Sequence, residues 1–141
     1  MKDKMVKQLR RDEGVVKHAY QDTEGYWTIG VGRLIDKRRG GGLSEEEIDF
    51  LLNNDVAEKE KALEASVSFY KGLDEARRGV LLNMAFNLGI EGLLAFRNTL
   101  KLVGEGRYKE ASEEMLKSNW ATQVGDRAVR LSKQMATGVW Q

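Results

Sequence analysis

Apolar residues recur along this chain with two different periods, and the change of period divides it. Met5, Val6 and Leu9 share one face at helical spacing. They predict a first helix from about Asp3, as its cap, to Glu13, with Gly14 as a left-handed exit. From Val15 to Ile35 the pattern shortens to strand-like pieces. Tyr20, Tyr26, Trp27, Thr28, Ile29 and Val31 are strand formers, and Asp22-Thr23-Glu24-Gly25 reads as the hairpin turn. Lys37-Arg38-Arg39-Gly40-Gly41-Gly42 then reads as a basic, flexible surface connector.

Ser44 and Glu47 form a capping box. The helix it opens carries Ile48, Leu51, Leu52, Val56 and Leu63 and extends to about Ala65. At the α-helical rise that is roughly 30 Å, long enough to join two lobes. Asp74 to Leu88 is apolar on nearly all sides, the pattern of a buried helix, and Gly89 ends it. Shorter helices are expected around Gly92 to Phe96, Thr99 to Val103, Tyr108 to Lys117 and Asp126 to Met135. The predicted class is α+β, mainly α: a small N-terminal β-hairpin or three-strand lobe, a long connecting helix, and an all-helical C-terminal lobe.

Composition narrows the chemistry. The chain has 141 residues, 41% hydrophobic and 32% charged, which suits one packed domain rather than a disordered segment. Its 23 basic and 22 acidic residues leave a net charge of +1, against the basic excess of a dedicated nucleic-acid binder. There is no Cys, so thiolate metal sites, disulfides and cysteine nucleophiles are excluded. The single His18 argues against a histidine metal site. No apolar run approaches the roughly 20 residues that span a bilayer, and no signal peptide is expected. Zero Pro points to helices joined by glycine turns.

The densest chemistry lies between Glu13 and Gly32. Glu13 sits at a predicted helix end, where the helix dipole disfavours a negative charge. Asp22 sits on an open turn and Thr28 on the strand that follows, with glycines at 25, 30 and 32 around them. Each alone has an ordinary reading: surface acid, turn former, strand former. Together they make an acid, a base and a water-holding hydroxyl, the set that cleaves an acetal without metal, cofactor or thiol. Arg127, Arg130 and Arg97 are candidates to orient the acid.

The run Glu13-Gly14, then Tyr20-Gln21-Asp22-Thr23-Glu24-Gly25-Tyr26-Trp27-Thr28-Ile29-Gly30-Val31-Gly32, resembles the phage-type lysozyme family. The resemblance continues in Leu73 to Arg78, Leu82 to Gly89, Phe96-Arg97-Asn98-Thr99-Leu100, Lys117 to Trp120, Asp126-Arg127-Ala128 and Thr137 to Trp140, so it spans almost the whole chain. It implies one lysozyme-like domain over residues 1–141, with a small lobe at 14–60 and a helical lobe at 61–141 joined by the N-terminal helix 1–13. It implies a muramidase that cuts the β-1,4 bond between N-acetylmuramic acid and N-acetylglucosamine of peptidoglycan, causing bacterial lysis. Glu13 becomes the general acid, and Asp22 with Thr28 positions water on the opposite face, with inversion. Inversion sets an expected carboxyl separation of about 6.5–9.5 Å. Leu34, Phe86 and Thr99 become substrate contacts, and Arg127 and Gly30 supporting residues, Arg127 as the partner of Glu13. Trp120 and Trp140 read as core residues rather than sugar platforms.

No cofactor, nucleic acid or stable membrane association is expected. The expected state is a monomer held in the host cytoplasm until a separate membrane pore releases it to the wall. Two positions depart from the family. Arg33 stands where the family commonly carries His, so a bridge to Asp55 would be permanently charged on its cationic side. Glu114 stands where the resemblance implies a saccharide-binding amide. A binding module without turnover is the main competing reading, and the intact trio Glu13, Asp22 and Thr28 argues against it.

Overall fold

The computed structural model describes residues 1–141, and the chain divides into two units, Met1–Leu51 and Leu52–Gln141. The first holds α1 (Lys2–Glu13) and the strands β1 (Val16–Gln21), β2 (Trp27–Gly30) and β3 (Arg33–Leu34). α1 thus shares this unit with the sheet. Its N-cap is Met1, and Asp3 lies in the first turn, where it complements the helix dipole instead of capping. Gly14 ends the helix at φ 78°, and its N–H donates to the Arg10 carbonyl. No residue of α1 is buried, so Met5, Val6 and Leu9 form an exposed apolar stripe.

The sheet is antiparallel in the order β1-β2-β3. Thr28 pairs with Tyr20 on one side and Leu34 on the other, and Gly30 pairs with Val16. The β1–β2 register shifts between Val16 and Tyr20, and Gly30 opposite the shift takes φ 71°, a conformation natural to glycine. The stretch after β3 is not the flexible connector expected. Asp36 caps a 3₁₀ turn at Lys37–Arg39, accepting from the Arg38 N–H, and the Gly42 N–H donates to the Leu34 carbonyl.

α2 (Glu45–Ser66) begins in the first unit and ends in the second. Its capping box forms as read: the Ser44 N–H donates to Glu47 Oε1 at 2.8 Å, and the Glu47 N–H to Ser44 Oγ at 3.2 Å. Only Leu63 of this helix is buried, leaving Ile48, Leu51 and Leu52 exposed.

The second unit carries the core. Its helices are α3 (Glu75–Leu94), α4 (Arg97–Gly104), α5 (Tyr108–Leu116), α6 (Asn119–Val124) and α7 (Asp126–Thr137). Asp74 caps α3 through the Arg77 N–H, and Gly89 interrupts it with a non-helical φ of 78°. Leu88 is thus the last residue before the break the sequence predicted. α6 was not anticipated; Ser118 caps it by accepting from the Ala121 N–H. α7 packs against α3, α5 and α6, and α5 also against α4. Leu63, Val80, Leu81, Met84, Leu93, Val103, Met115 and Met135 are shielded from solvent at the centre. Area-proportional burial of such side chains is the main stabilising term.

Two side chains lock this unit. Arg77 donates from Nε to the Met135 carbonyl at 2.8 Å and from Nη2 to the Ala136 carbonyl at 3.1 Å. Its guanidinium also lies 3.7 Å from the Tyr108 ring centroid, so one residue joins α3, α5 and the end of α7. Trp120 is buried, as expected, with its Nε1–H donating to Asn87 Oδ1 at 2.8 Å and its ring edge-on to Phe96. Trp140 departs from the core reading: it is 58% exposed and rests its ring against Gly79. No single helix is long and apolar enough to cross a membrane.

Candidate active site

Five of the eight candidate residues, Glu13, Asp22, Thr28, Gly30 and Leu34, lie in the first unit, on the end of α1 and the three-stranded sheet. Asp22 is held by its own turn. Its N–H donates to the Tyr26 carbonyl at 2.8 Å, and the Gly25 N–H donates back to the Asp22 carbonyl at 3.0 Å. The side chain completes the turn by accepting at Oδ1 from the Glu24 and Tyr26 N–H groups, both at 2.9 Å. Such local acceptance is why Asp favours this position. Oδ2 is not used in the turn.

Thr28 is 3% exposed, and its hydroxyl donates to the Tyr26 carbonyl at 3.0 Å. Because its proton is committed there, the hydroxyl meets any further partner as an acceptor. Glu13 is exposed at the end of α1. Its carboxylate lies over Gly32: a Cβ at Gly32 would stand 3.3 Å from Glu13 Oε2. Gly32 also has φ 69°, so both space and backbone favour glycine beside the acid.

The ion pairs around the sheet differ from those expected. Arg33 Nη1 reaches both oxygens of Glu47, at 2.8 and 2.6 Å, rather than Asp55. The segment after β3 folds back, with the Gly42 N–H on the Leu34 carbonyl and Arg33 Nη1 on the Gly42 carbonyl, so the first turn of α2 with Glu47 lies beside Arg33. The Arg33 guanidinium, helped by the Ser44 N–H, draws the Glu47 carboxyl down to about 2. Arg38 grips Asp36 through Nε at 3.0 Å and Nη2 at 2.6 Å, and draws that carboxyl to about 2 as well. Arg39 pairs with Glu24 at 3.1 Å and lies 4.4 Å from the Tyr26 ring centroid, with Arg38 at 5.4 Å from the same ring. Sequence reasoning missed these contacts. The available signal was Asp36 two residues ahead of Arg38, an Asx-turn spacing.

In the second unit, Phe86 is 40% exposed and lines a cavity of about 310 Å³ with Leu52, Val56, Leu82, Arg127 and Trp140. Arg127 donates from Nε and Nη2 to Asn83 Oδ1, at 2.9 and 2.7 Å. Thr99 is 3% exposed, which favours its reading as a core wall, although it borders a second cavity of about 270 Å³ with Phe96, Arg97, Glu114 and Lys117. No cluster of three or more His, Asp or Glu side chains is close enough to hold a metal ion.

Comparison with known proteins gives these residues a context. The chain matches the phage lysozyme family over residues 10–135. It is 31% identical over 156 aligned residues to probable T4-type lysozyme 1 of Dictyostelium discoideum, covering 92% of each chain. It is 29% identical over 159 residues to the pre-baseplate central spike protein of Enterobacteria phage T4, covering 95% of this chain and 28% of that one. It is 27% identical over 119 residues to an endolysin of Acyrthosiphon pisum secondary endosymbiont phage 1, covering 84% of this chain and 80% of that one. With the match running from Arg10, ahead of the acid at the end of α1, to Met135 in α7, the chain belongs to the phage lysozyme family.

Proposed function

We propose that Glu13 and Asp22 divide the acid and base work of an inverting muramidase. As a member of the phage lysozyme family, the chain is a glycoside hydrolase of bacterial peptidoglycan. The finer mechanism is our reading. Glu13 donates a proton to the glycosidic oxygen as the bond from the anomeric carbon to that oxygen breaks. A water attacks the same carbon from the opposite face and gives a proton to Asp22 Oδ2. Thr28, its own proton committed to the Tyr26 carbonyl, accepts the water's second hydrogen and fixes its orientation. The product is the α anomer of the newly exposed N-acetylmuramic acid end.

The observation that carries this reading is the binding of Asp22 Oδ1 by two backbone N–H groups. It fixes the carboxylate while leaving Oδ2 to the water. Leu34, beside Thr28 on β3, and Phe86 with its exposed ring are the proposed sugar contacts. Thr99, at the border of the second cavity, is the third proposed sugar contact, and Gly30 and Arg127 have supporting roles. Cleavage of the wall leads to lysis of the bacterium, after release of the enzyme from the host cytoplasm. At a net charge of +1, long-range attraction to the anionic wall is weak and little affected by salt.

The test is the release of reducing ends from purified peptidoglycan by the protein and by Glu13→Gln and Asp22→Asn. Each variant is expected to lose at least about 100-fold. Wild-type activity in Glu13→Gln would remove it as the acid, and binding without turnover by every form would favour a wall-binding module. Proton NMR of the first product reads the anomer; a β product would overturn inversion.

A further inference from the structure

We propose that Arg39 is a positioning residue for the catalytic base, holding from outside the turn that aims Asp22. The inference rests on the reading of Asp22 as that base. Its carboxylate is oriented by two backbone N–H groups only, those of Glu24 and Tyr26. Those same two residues are the ones whose side chains Arg39 engages. One guanidinium nitrogen pairs with Glu24 Oε2, and the guanidinium carbon lies over the Tyr26 ring, 4.4 Å from its centroid. A single cation thus grips both donors that fix the base.

Arg39 can do this because its own position is determined. The turn that carries it is capped by Asp36, which is 8% exposed and binds Arg38 through both carboxylate oxygens. Two cations beside one ring repel each other, and Asp36 and Glu24 offset them with one carboxylate each. The far end of the segment is fastened to the sheet. The Gly42 N–H donates to the Leu34 carbonyl at 3.1 Å, and Gly41 lies so close to that carbonyl that a Cβ would stand 2.4 Å from its oxygen. The Ile35 N–H in turn donates to the Trp27 carbonyl at 2.9 Å, at the start of β2. Strand, segment and turn therefore form a closed circuit, and Arg39 is the link that completes it. One guanidinium nitrogen and the contact with the Tyr26 ring are committed to the turn, which favours positioning over a substrate-binding role.

The test compares Arg39→Ala, Arg39→Lys and Glu24→Gln in the full chain, by kcat and KM on soluble peptidoglycan fragments and by amide hydrogen exchange at Tyr26. Arg39→Ala is expected to lower kcat about tenfold with KM within about twofold, the pattern of lost alignment rather than lost binding. Exchange at the Tyr26 amide should quicken by about tenfold. Arg39→Lys should recover part of kcat, because it keeps the charge but loses the planar stack. Arg39→Ala combined with Glu24→Gln should be no worse than Arg39→Ala alone. A raised KM with kcat intact would make Arg39 a substrate contact and overturn the proposal, as would unchanged kcat and exchange while Asp22→Asn is inactive. Full activity in Asp22→Asn would instead remove the base itself, and the Tyr26 exchange would still report whether Arg39 holds the turn.

Discussion

Replacing Gly41 with Ala tests the fastening of the Asp36–Gly42 segment by adding a single carbon. That Cβ would stand 2.4 Å from the Leu34 carbonyl oxygen, 2.6 Å from its carbon and 3.0 Å from the Ile35 nitrogen. All three are backbone atoms of the β3 edge, so no side chain can swing aside. Restoring ordinary contact needs a displacement of about 1 Å, which removes carbon contacts and misaligns the neighbouring hydrogen bonds. The bonds at risk are Gly42 N–H to the Leu34 carbonyl and Gly41 N–H to the Asp36 carbonyl. At about 0.5–1.5 kcal/mol each the loss is about 1–3 kcal/mol. Gly41 does not occupy the left-handed region, so the smaller entropy of an unfolded Ala chain returns about 0.4–1 kcal/mol. The expected net is a destabilisation of about 1–2 kcal/mol, read from urea unfolding followed by NMR at amides of β2 and β3. Gly72→Ala is the control, because its Cβ would meet nothing within 4 Å and its φ is likewise not left-handed. It should stabilise its own unit by about 0.4–1 kcal/mol. If Gly41→Ala also stabilised, the close approach to Leu34 would not be a constraint and the reasoning would be refuted.

Three further outcomes are expected. Arg77→Ala removes two charge-assisted bonds to the carbonyls of Met135 and Ala136 and the stack on Tyr108, and should cost about 2–3 kcal/mol in urea unfolding of the helical unit, with little recovery in Arg77→Lys. Trp120→Phe leaves Asn87 without its indole donor and should cost about 1 kcal/mol by the same measurement. The carboxyls of Glu47 and Asp36 lie at about 2, below their ordinary 4.5 and 3.8, so their contribution is complete above those ordinary values and lost as pH falls toward 2. Melting of the sheet unit followed from pH 7 to pH 2 should fall through that window, and Glu47→Gln should show a shallower acid loss; an identical slope would contradict the role of the Arg33 bridge.

Much of the fold was legible because its signals are local. The capping box at Ser44 and Glu47, the hairpin at Asp22 to Gly25 and the glycine breaks at 14 and 89 each depend on residues within a few positions of one another. The short helix α6 escaped because it has little amphipathic pattern, and its start is marked only by the Ser118 cap. The trio Glu13, Asp22 and Thr28 was visible as a sequence constellation, and the family match covers all three positions. What could not be read were contacts chosen by the path of the chain. Arg33 meets Glu47 rather than Asp55, and Arg39 meets Tyr26, because a segment capped by Asp36 and tied to Leu34 folds back on the sheet. A run of Lys, Arg and Gly carries no periodicity that could announce either contact. For Glu13 the sequence carries the direction of the helix dipole but not what covers the side chain, which is exposed.

The turn at Asp22 also has a practical use. The hairpin asks of this side chain only an oxygen acceptor at Oδ1, and an asparagine supplies one of the same size and geometry. Asp22→Asn should therefore fold with its turn intact and, on the proposed reading of Asp22 as the base, lose the proton acceptor while the proposed glycan contacts remain. Fused to a fluorophore, such a protein would become an imaging reagent, marking where intact glycan strands lie on a bacterium without cutting them.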